Sequence, residues 1–203
     1  MSLKNYCPDL INVMPMLASY SSPWEAVNDI ENIIIDTIEQ LDSTYVVTAG
    51  VAIHNTASVA DTAVIHAPAI IGPGASVGQH TLLRGGVYVG GNAHIGQGAE
   101  VKHSLIGSSS ALAHFNYVGD SILGSRINLE AGSIIANHYN EQIGKTIEVI
   151  WQDEIMDTGV VKFGALIGDD SKMGANSVTT PGTILATRSI VKRLELIDQV
   201  EDH

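Results

Sequence analysis

The chain has one cysteine, Cys7, among its 203 residues. No intrachain disulfide can form, so nothing implies an oxidising compartment. Basic residues are scarce: ten Lys and Arg stand against 22 Asp and Glu, a formal net charge of -12 at pH 7. A surface this acidic repels phosphate backbones and excludes a broad nucleic-acid platform. Aromatic residues make up 5% of the chain although apolar residues make up 45%. The core is therefore built of Val, Ile, Leu and Ala, and its cross-section is narrow. Long apolar runs are missing too. The start, "MSLKNYCPDL", has no signal-peptide core. "IENIIIDTIEQL" is broken by Asp36 and is too short to cross a bilayer. These absences lead us to expect a cytoplasmic protein that binds neither membrane nor nucleic acid.

What is present is a period. Ile53, Val59, Ile65, Ile71, Val77, Leu83, Val89, Ile95 and Val101 are spaced six apart. Small residues such as Ala57, Ala63, Ala69, Ala75, Ala93 and Ala99 stand two positions before most of them. Neither a helix nor an ordinary strand gives a strict period of six, whereas hexapeptide repeats mark a parallel β-helix. The expectation is an all-β solenoid that resembles the left-handed hexapeptide β-helix. Three hexads make one triangular coil, with the aliphatic residue pointing inward and about six coils in all.

Residues 1–45 lack the period and read as a helical segment. Ser22 is a candidate N-cap, Pro23 opens the first turn, and Trp24, Val27, Ile30, Ile34, Ile38 and Leu41 follow helical spacing. One amphipathic helix over about 23–41 is expected to dock on the main domain, which spans 46–186. The rhythm then slips twice, with Ile106 five residues after Val101 and Leu123 five after Val118. It is lost over an insertion at about 139–161. There Ile147, Val149 and Trp151 alternate before a turn near Gln152-Asp153, which predicts a protruding hairpin. Residues 187–203 are expected to form a tail that caps the open end of the solenoid.

Arg84 and Lys102 follow their aliphatic residues one full coil apart, with His66 a coil earlier. They are expected to stack on one edge. Two stacked cations with no acid between them favour an anion such as phosphate. His114 points outward near a corner, with Tyr117, Asn128 and Asn137 on the same side of the solenoid.

The stretch "EVKHSLIGSSSALAHFNYVGDSILGSRINLEAGSIIANHYN" resembles the acetyltransferase domain of the bifunctional N-acetylglucosamine-1-phosphate uridyltransferase/glucosamine-1-phosphate acetyltransferase family. The likeness rests on Glu100-x-Lys102, then His114-x-x-Tyr117-x-Gly119-Asp120, then Asn128-x-x-Ala131-Gly132 and Asn137, with Arg84 upstream. The resemblance implies an acetyl-CoA-dependent N-acetyltransferase acting on an amino-sugar phosphate or sugar nucleotide. By the same resemblance Arg84, Lys102, Tyr117 and Asn128 are substrate ligands, and His114 is the general base, with Glu100 orienting it. Ala131, Asn137, Lys162 and Ala175 lie near the acetyl-CoA, between subunits of a homotrimer. The family's nucleotidyltransferase domain is not expected in this chain.

The residue types suit that chemistry. An amine attacking a thioester must shed a proton, and neutral imidazole accepts one near neutral pH. A backbone N–H of Ala131 or Gly132 is the candidate oxyanion donor. On this reading the slips re-aim the corner so that His114 faces Arg84 and Lys102. Two alternatives stay open: a non-catalytic scaffold or regulatory subunit, and an acyltransferase with a longer acyl donor. A zinc hydrolyase of the same fold needs a His-x4-His pair, which none of the eight histidines supplies, so no metal is expected.

Overall fold

A period of six becomes strand, corner, strand, corner. In the computed structural model, which describes residues 3–200, the chain winds as a β-solenoid with three faces. The second face shows the rule most plainly. Seven two-residue strands, from Ser58–Val59 to Ile190–Val191, stack parallel and in register. One residue of each pair points out, and the other, the aliphatic of the repeat, points in. Ile71, Val77, Leu83, Val89, Ile95 and Val101 are buried in one cluster that runs on through Val118, Leu129, Ile135 and Met173. Each fully buried aliphatic contributes about 1.5–3 kcal/mol, so this internal column holds the prism together. At the open first turn, Ile53, Val59 and Ile65 are only partly covered.

The outward residues of the first face are apolar as well: Ala52, Ile70, Tyr88, Leu105, Ile122, Leu166 and Ile184 are buried in a second cluster. The chain's own N-terminal segment covers them. It contains α1 (Pro8–Val13), α2 (Pro23–Asn28) and α3 (Ile30–Ile38). Trp24, Val27, Ile30 and Ile34 face the solenoid, as their spacing predicts, and Ile38 and Leu41 pack at the margin. The single helix expected over 23–41 is broken at Asp29. Its carboxylate accepts hydrogen bonds from the Tyr20 hydroxyl and the Asn32 amide, which fixes the bend between α2 and α3. Ser22 caps α2 by accepting the Glu25 N–H.

The hairpin pairs Glu148–Trp151 with Glu154–Asp157. Gln152 and Asp153 both have positive φ, 58° and 65°, which matches the twist that a two-residue hairpin turn needs. Only one strand protrudes. Ile147, Val149 and Trp151 are buried, with the Trp151 ring stacked on Tyr6 at 5.8 Å and edge-on to Trp24 at 6.0 Å. The alternation that signalled a hairpin also gives it an apolar side, and that side is claimed by the N-terminal segment.

The segment expected to cap the open end continues the repeat instead. Ile190–Val191 and Leu196–Ile197 stack parallel on Lys172–Met173 and Val178–Thr179. Leu185, Val191 and Ile197 keep the interval of six, which adds a layer to the coils counted from the sequence. Residues 201–203 of that tail lie outside the described residues.

Candidate active site

The irregularities of the repeat all fall at one corner, between the third and first faces. Strands Leu82–Val89 and Glu100–Ile106 run straight through it. Their register pairs Arg84 with Lys102, then Val87 with Ser104, so Gly85 and Gly86 together oppose the single residue His103. Gly86, at φ 87°, has α3 against it; a Cβ there would lie 3.1 Å from Ile30 Cγ2 and Glu31 Cγ. On the next two turns the shortened corner is made by His103 (φ 50°) and Asp120 (φ 47°). One turn further the chain leaves the coil at Asn137 and returns at Phe163, whose N–H donates to the Asn137 carbonyl at 3.0 Å. The slips therefore re-aim the corner of His103 and Asp120. His114 sits in a regular hexad at a different corner, between the second and third faces.

The shortened corner gathers charge in pairs. Arg84 Nη2 lies 2.6 Å from Glu100 Oε1, with side chains 39% and 32% exposed. Lys102 Nζ lies 2.7 Å from Asp120 Oδ2, at 17% and 6%. The expectation that no acid separates the stacked cations is thus not met: each cation has its own carboxylate. Asp120 also accepts from His103 Nδ1 at 3.1 Å and from the Asn137 amide. Burial opposes ionisation of Asp120, but the hydrogen bonds from His103, Lys102 and Asn137 outweigh it and hold the carboxyl below its usual range. The Tyr117 hydroxyl and the Asn137 amide meet over Gly119; a Cβ on Gly119 would come within 2.6 Å of that hydroxyl. Burial, then the nearby Asp120 and Glu100, push the Tyr117 phenol up, so it stays a neutral hydrogen-bonding group.

The structure therefore brings Arg84, Glu100, Lys102, Tyr117 and Asn137 together, and Lys162 stands close by. His114 does not join them within the chain. It is exposed, its carbonyl accepts the Gly132 N–H at 2.9 Å, and its imidazole makes no hydrogen bond among the described residues. That bond spends the Gly132 donor. Asn128 is exposed on the second face, and Ala131 and Ala175 flank the corner where His114 sits. The Ala175 N–H donates to Glu130 Oε2 at 2.9 Å. A groove of about 250 Å³ runs here between Asn128, Glu130, Lys172, Lys192 and Arg193. The sequence reading named neither this basic groove nor His103 and Asp120 as a pair. The five-residue intervals were the available signal: a 17-residue coil puts Asp120 directly over His103. Among the described residues no three His, Cys, Asp or Glu side chains converge as a metal site. No helix among them is long and apolar enough to cross a membrane.

Fold and corner together define a hexapeptide-repeat β-solenoid with an ionisable corner on one edge and a basic groove on another. Residues 47–140 match the family model described as the GMPPB C-terminal domain. A bifunctional protein GlmU from Picosynechococcus sp. is 39% identical over 79 residues, 39% of this chain and 13% of that protein. A GlmU from Methanococcus vannielii is 31% identical over 101 residues, 50% of this chain and 24% of that one. A hexapeptide transferase family protein from Anaplasma phagocytophilum has a similar solved structure, with 25% identity, a TM-score of 0.35, and coverage of 73% of this chain and 74% of that one. The match spans at most 24% of the length of these two GlmU relatives. Over half of its length or less the chain is similar to the GMPPB C-terminal domain and to the GlmU proteins.

Proposed function

We propose that the chain is an acyl-CoA-dependent N-acetyltransferase whose acceptor is an amino-sugar phosphate or a nucleotide-linked amino sugar, and that its coil is left-handed. The observation that carries this reading is the corner where Arg84, Lys102, Tyr117 and Asn137 converge, inside the stretch that matches the family model. Arg84 is the more available cation. Its pair with Glu100 is half-exposed, well short of the burial at Lys102, and surface pairs are worth at most about 1 kcal/mol, so an acceptor phosphate displaces Glu100 at modest cost. Lys102 is held more tightly by Asp120 and adds positive potential beneath it.

His114 takes the proton. The acceptor nitrogen attacks the thioester carbonyl carbon, its proton passes to the imidazole, the C–S bond breaks and coenzyme A leaves as thiol. With the Gly132 N–H spent on His114, Ala131 supplies the backbone donor to the oxyanion. The phosphates of acetyl-CoA suit the groove of Lys172 and Lys192, where Arg193 is paired with Glu130 at 2.6 Å. His114 and Asn128 stand away from the Arg84 corner within one chain. The second face of a neighbouring subunit would bring them to it, and this supports a homotrimer with shared sites.

Thiol release from acetyl-CoA, measured with glucosamine 1-phosphate, galactosamine 1-phosphate and UDP-linked amino sugars, tests the reading. Stoichiometric thiol release with one of them is expected. No release with acetyl-CoA or longer acyl-CoA donors refutes it in favour of a scaffold.

A further inference from the structure

The two ends of the solenoid are finished differently. At the last turn the edge strand of the first face is Thr183–Leu185, and a side chain closes it. Ile184 N–H donates to the Gln199 side-chain oxygen at 2.7 Å, and the Gln199 amide donates back to the Ile184 carbonyl at 2.9 Å. At the first turn the edge strand is Tyr45–Thr48, antiparallel to Val51–His54. Asn55 N–H donates to the Thr44 carbonyl at 2.9 Å. Hydrogen bonds alternate along an antiparallel pair, so Val46 and Thr48 bond to the solenoid and Val47 turns its N–H and C=O away from it. Neither Val47 group has a partner among the described residues. The strand carries no lysine, proline or bulge, the usual guards of an exposed edge. Val46 and Val47 are 64% and 50% exposed.

The prism is open beside this strand. A cavity of about 590 Å³ is lined by Val46, Val51, Ile53, Ala57, Ala63 and Ile65, and it is the mouth of the internal aliphatic column. Val64 stands half-exposed next to it. Charge is absent from the same end. Of the chain's 22 acids only Asp61, and of its ten bases only Arg84, fall between Ser43 and Ala99, nearly the first three turns. Asp42, just before them, is turned to Thr44, whose N–H it accepts at 2.8 Å. A chain of net charge -12 repels its own copies over most of its surface. The open end is where two copies can meet.

We propose that this end is the contact surface for a second copy of the chain, docked open end to open end across a twofold axis at Val47. An antiparallel strand is its own complement there: Val47 opposite Val47 of the second copy exchanges both free hydrogen bonds. The two mouths then face each other and the two aliphatic columns become one. A twofold contact closes on itself, so the trimer proposed above would pair into six chains, and the end closed by Gln199 offers no edge for further growth.

Light scattering on the full-length protein at micromolar concentration, together with hydrogen exchange of the Val47 amide, tests this. Wild type is expected at six chains. Val46→Asp sets a carboxylate on each side of the axis and is expected to halve the mass. The Val47 amide is expected to exchange at least tenfold more slowly in wild type than in Val64→Asp, a change that lies off the strand. Wild type at two chains, falling to one in Val46→Asp, keeps the end contact and removes the trimer. Wild type at three chains or one overturns the proposal, and a slow Val47 amide at that mass gives the strand to a different peptide. Six chains with an unprotected Val47 amide, or six chains that survive Val46→Asp, place the contact elsewhere and overturn it too. The exchange rate in wild type does not depend on any variant folding.

Discussion

Replacing Lys102 by Met keeps the length of the side chain and removes its charge. The loss falls on Asp120, whose carboxylate is 6% exposed and is left with hydrogen bonds from His103 and Asn137. Breaking a buried ion pair from one side costs about 3–5 kcal/mol. Here two hydrogen bonds remain and Lys102 is 17% exposed, so the cost falls at or just below that range, about 2–3 kcal/mol. For a chain of this size that lowers the melting temperature by about 4–12 °C. Urea unfolding of Lys102→Met, Asp120→Asn and the double variant measures the coupling directly, expected at about 1–3 kcal/mol. The same cycle at the exposed pair of Arg84 and Glu100 should give no more than about 1 kcal/mol. Additivity within about 0.5 kcal/mol at Lys102 and Asp120 would refute the buried-pair account. If the coupling is found, activity lost in Lys102 variants mixes stability with binding, and Arg84 becomes the cleaner probe of the phosphate.

Arg84→Met is expected to raise the acceptor KM at least tenfold and to leave the KM for acetyl-CoA unchanged in steady-state kinetics. His114→Ala is expected to lower kcat by about 10²–10⁴-fold with no change in melting temperature, since the ring is exposed and unbonded; near-normal turnover would remove it from the chemistry. Thr179 occupies an inward position, fully buried, and its hydroxyl has no hydrogen-bond partner among the described residues. Thr179→Val should therefore gain about 1–3 kcal/mol in urea unfolding. Asp120 is held below the usual carboxylate range in the fold, so its contribution is complete above the unfolded value of about 3.9 and fades as pH falls through the lower folded one. The stability gap between wild type and Asp120→Asn should be constant from pH 7 to 5 and should close only below about pH 4.

Much of the fold was legible because an internal prism admits one kind of residue at one interval. Ile71 to Val101 could be placed from spacing alone, and the Gln152-Asp153 turn from the alternation before it. The bend at Asp29 was not legible, because it depends on Tyr20 and Asn32, whose spacing carries no period. The slips were visible, yet their effect was assigned to His114. A five-residue interval alters the corner inside it, and those corners hold His103 and Asp120. The pairing of Lys102 with Asp120 was hidden for the same reason. An 18-residue coil places Lys102 over Arg84 but misplaces everything after the first deletion. Arg84, Lys102 and Tyr117 stand together, joined by Asn137, which the resemblance had put with the acetyl-CoA group; His114, Asn128, Ala131 and Ala175 lie along another edge.

The covering of the first face by the chain's own helices has a consequence for valence. A triangular prism offers three flat sides to other molecules. Here Ile70, Tyr88, Leu105 and their neighbours on one side are sealed by α1 to α3 and the inner strand of the hairpin. Two open sides remain, one with a polar outer column containing Ser76, His94 and Asn128, the other with a mixed one containing Leu82, Glu100, Tyr117, Ile134 and Val178. Two unlike contact surfaces are what each member of a closed ring has, one for the neighbour on either hand, whereas a third would let contacts branch without end. In the proposed trimer the N-terminal segment would act as a chain terminator in two dimensions, blocking the side from which rings would grow into lattices.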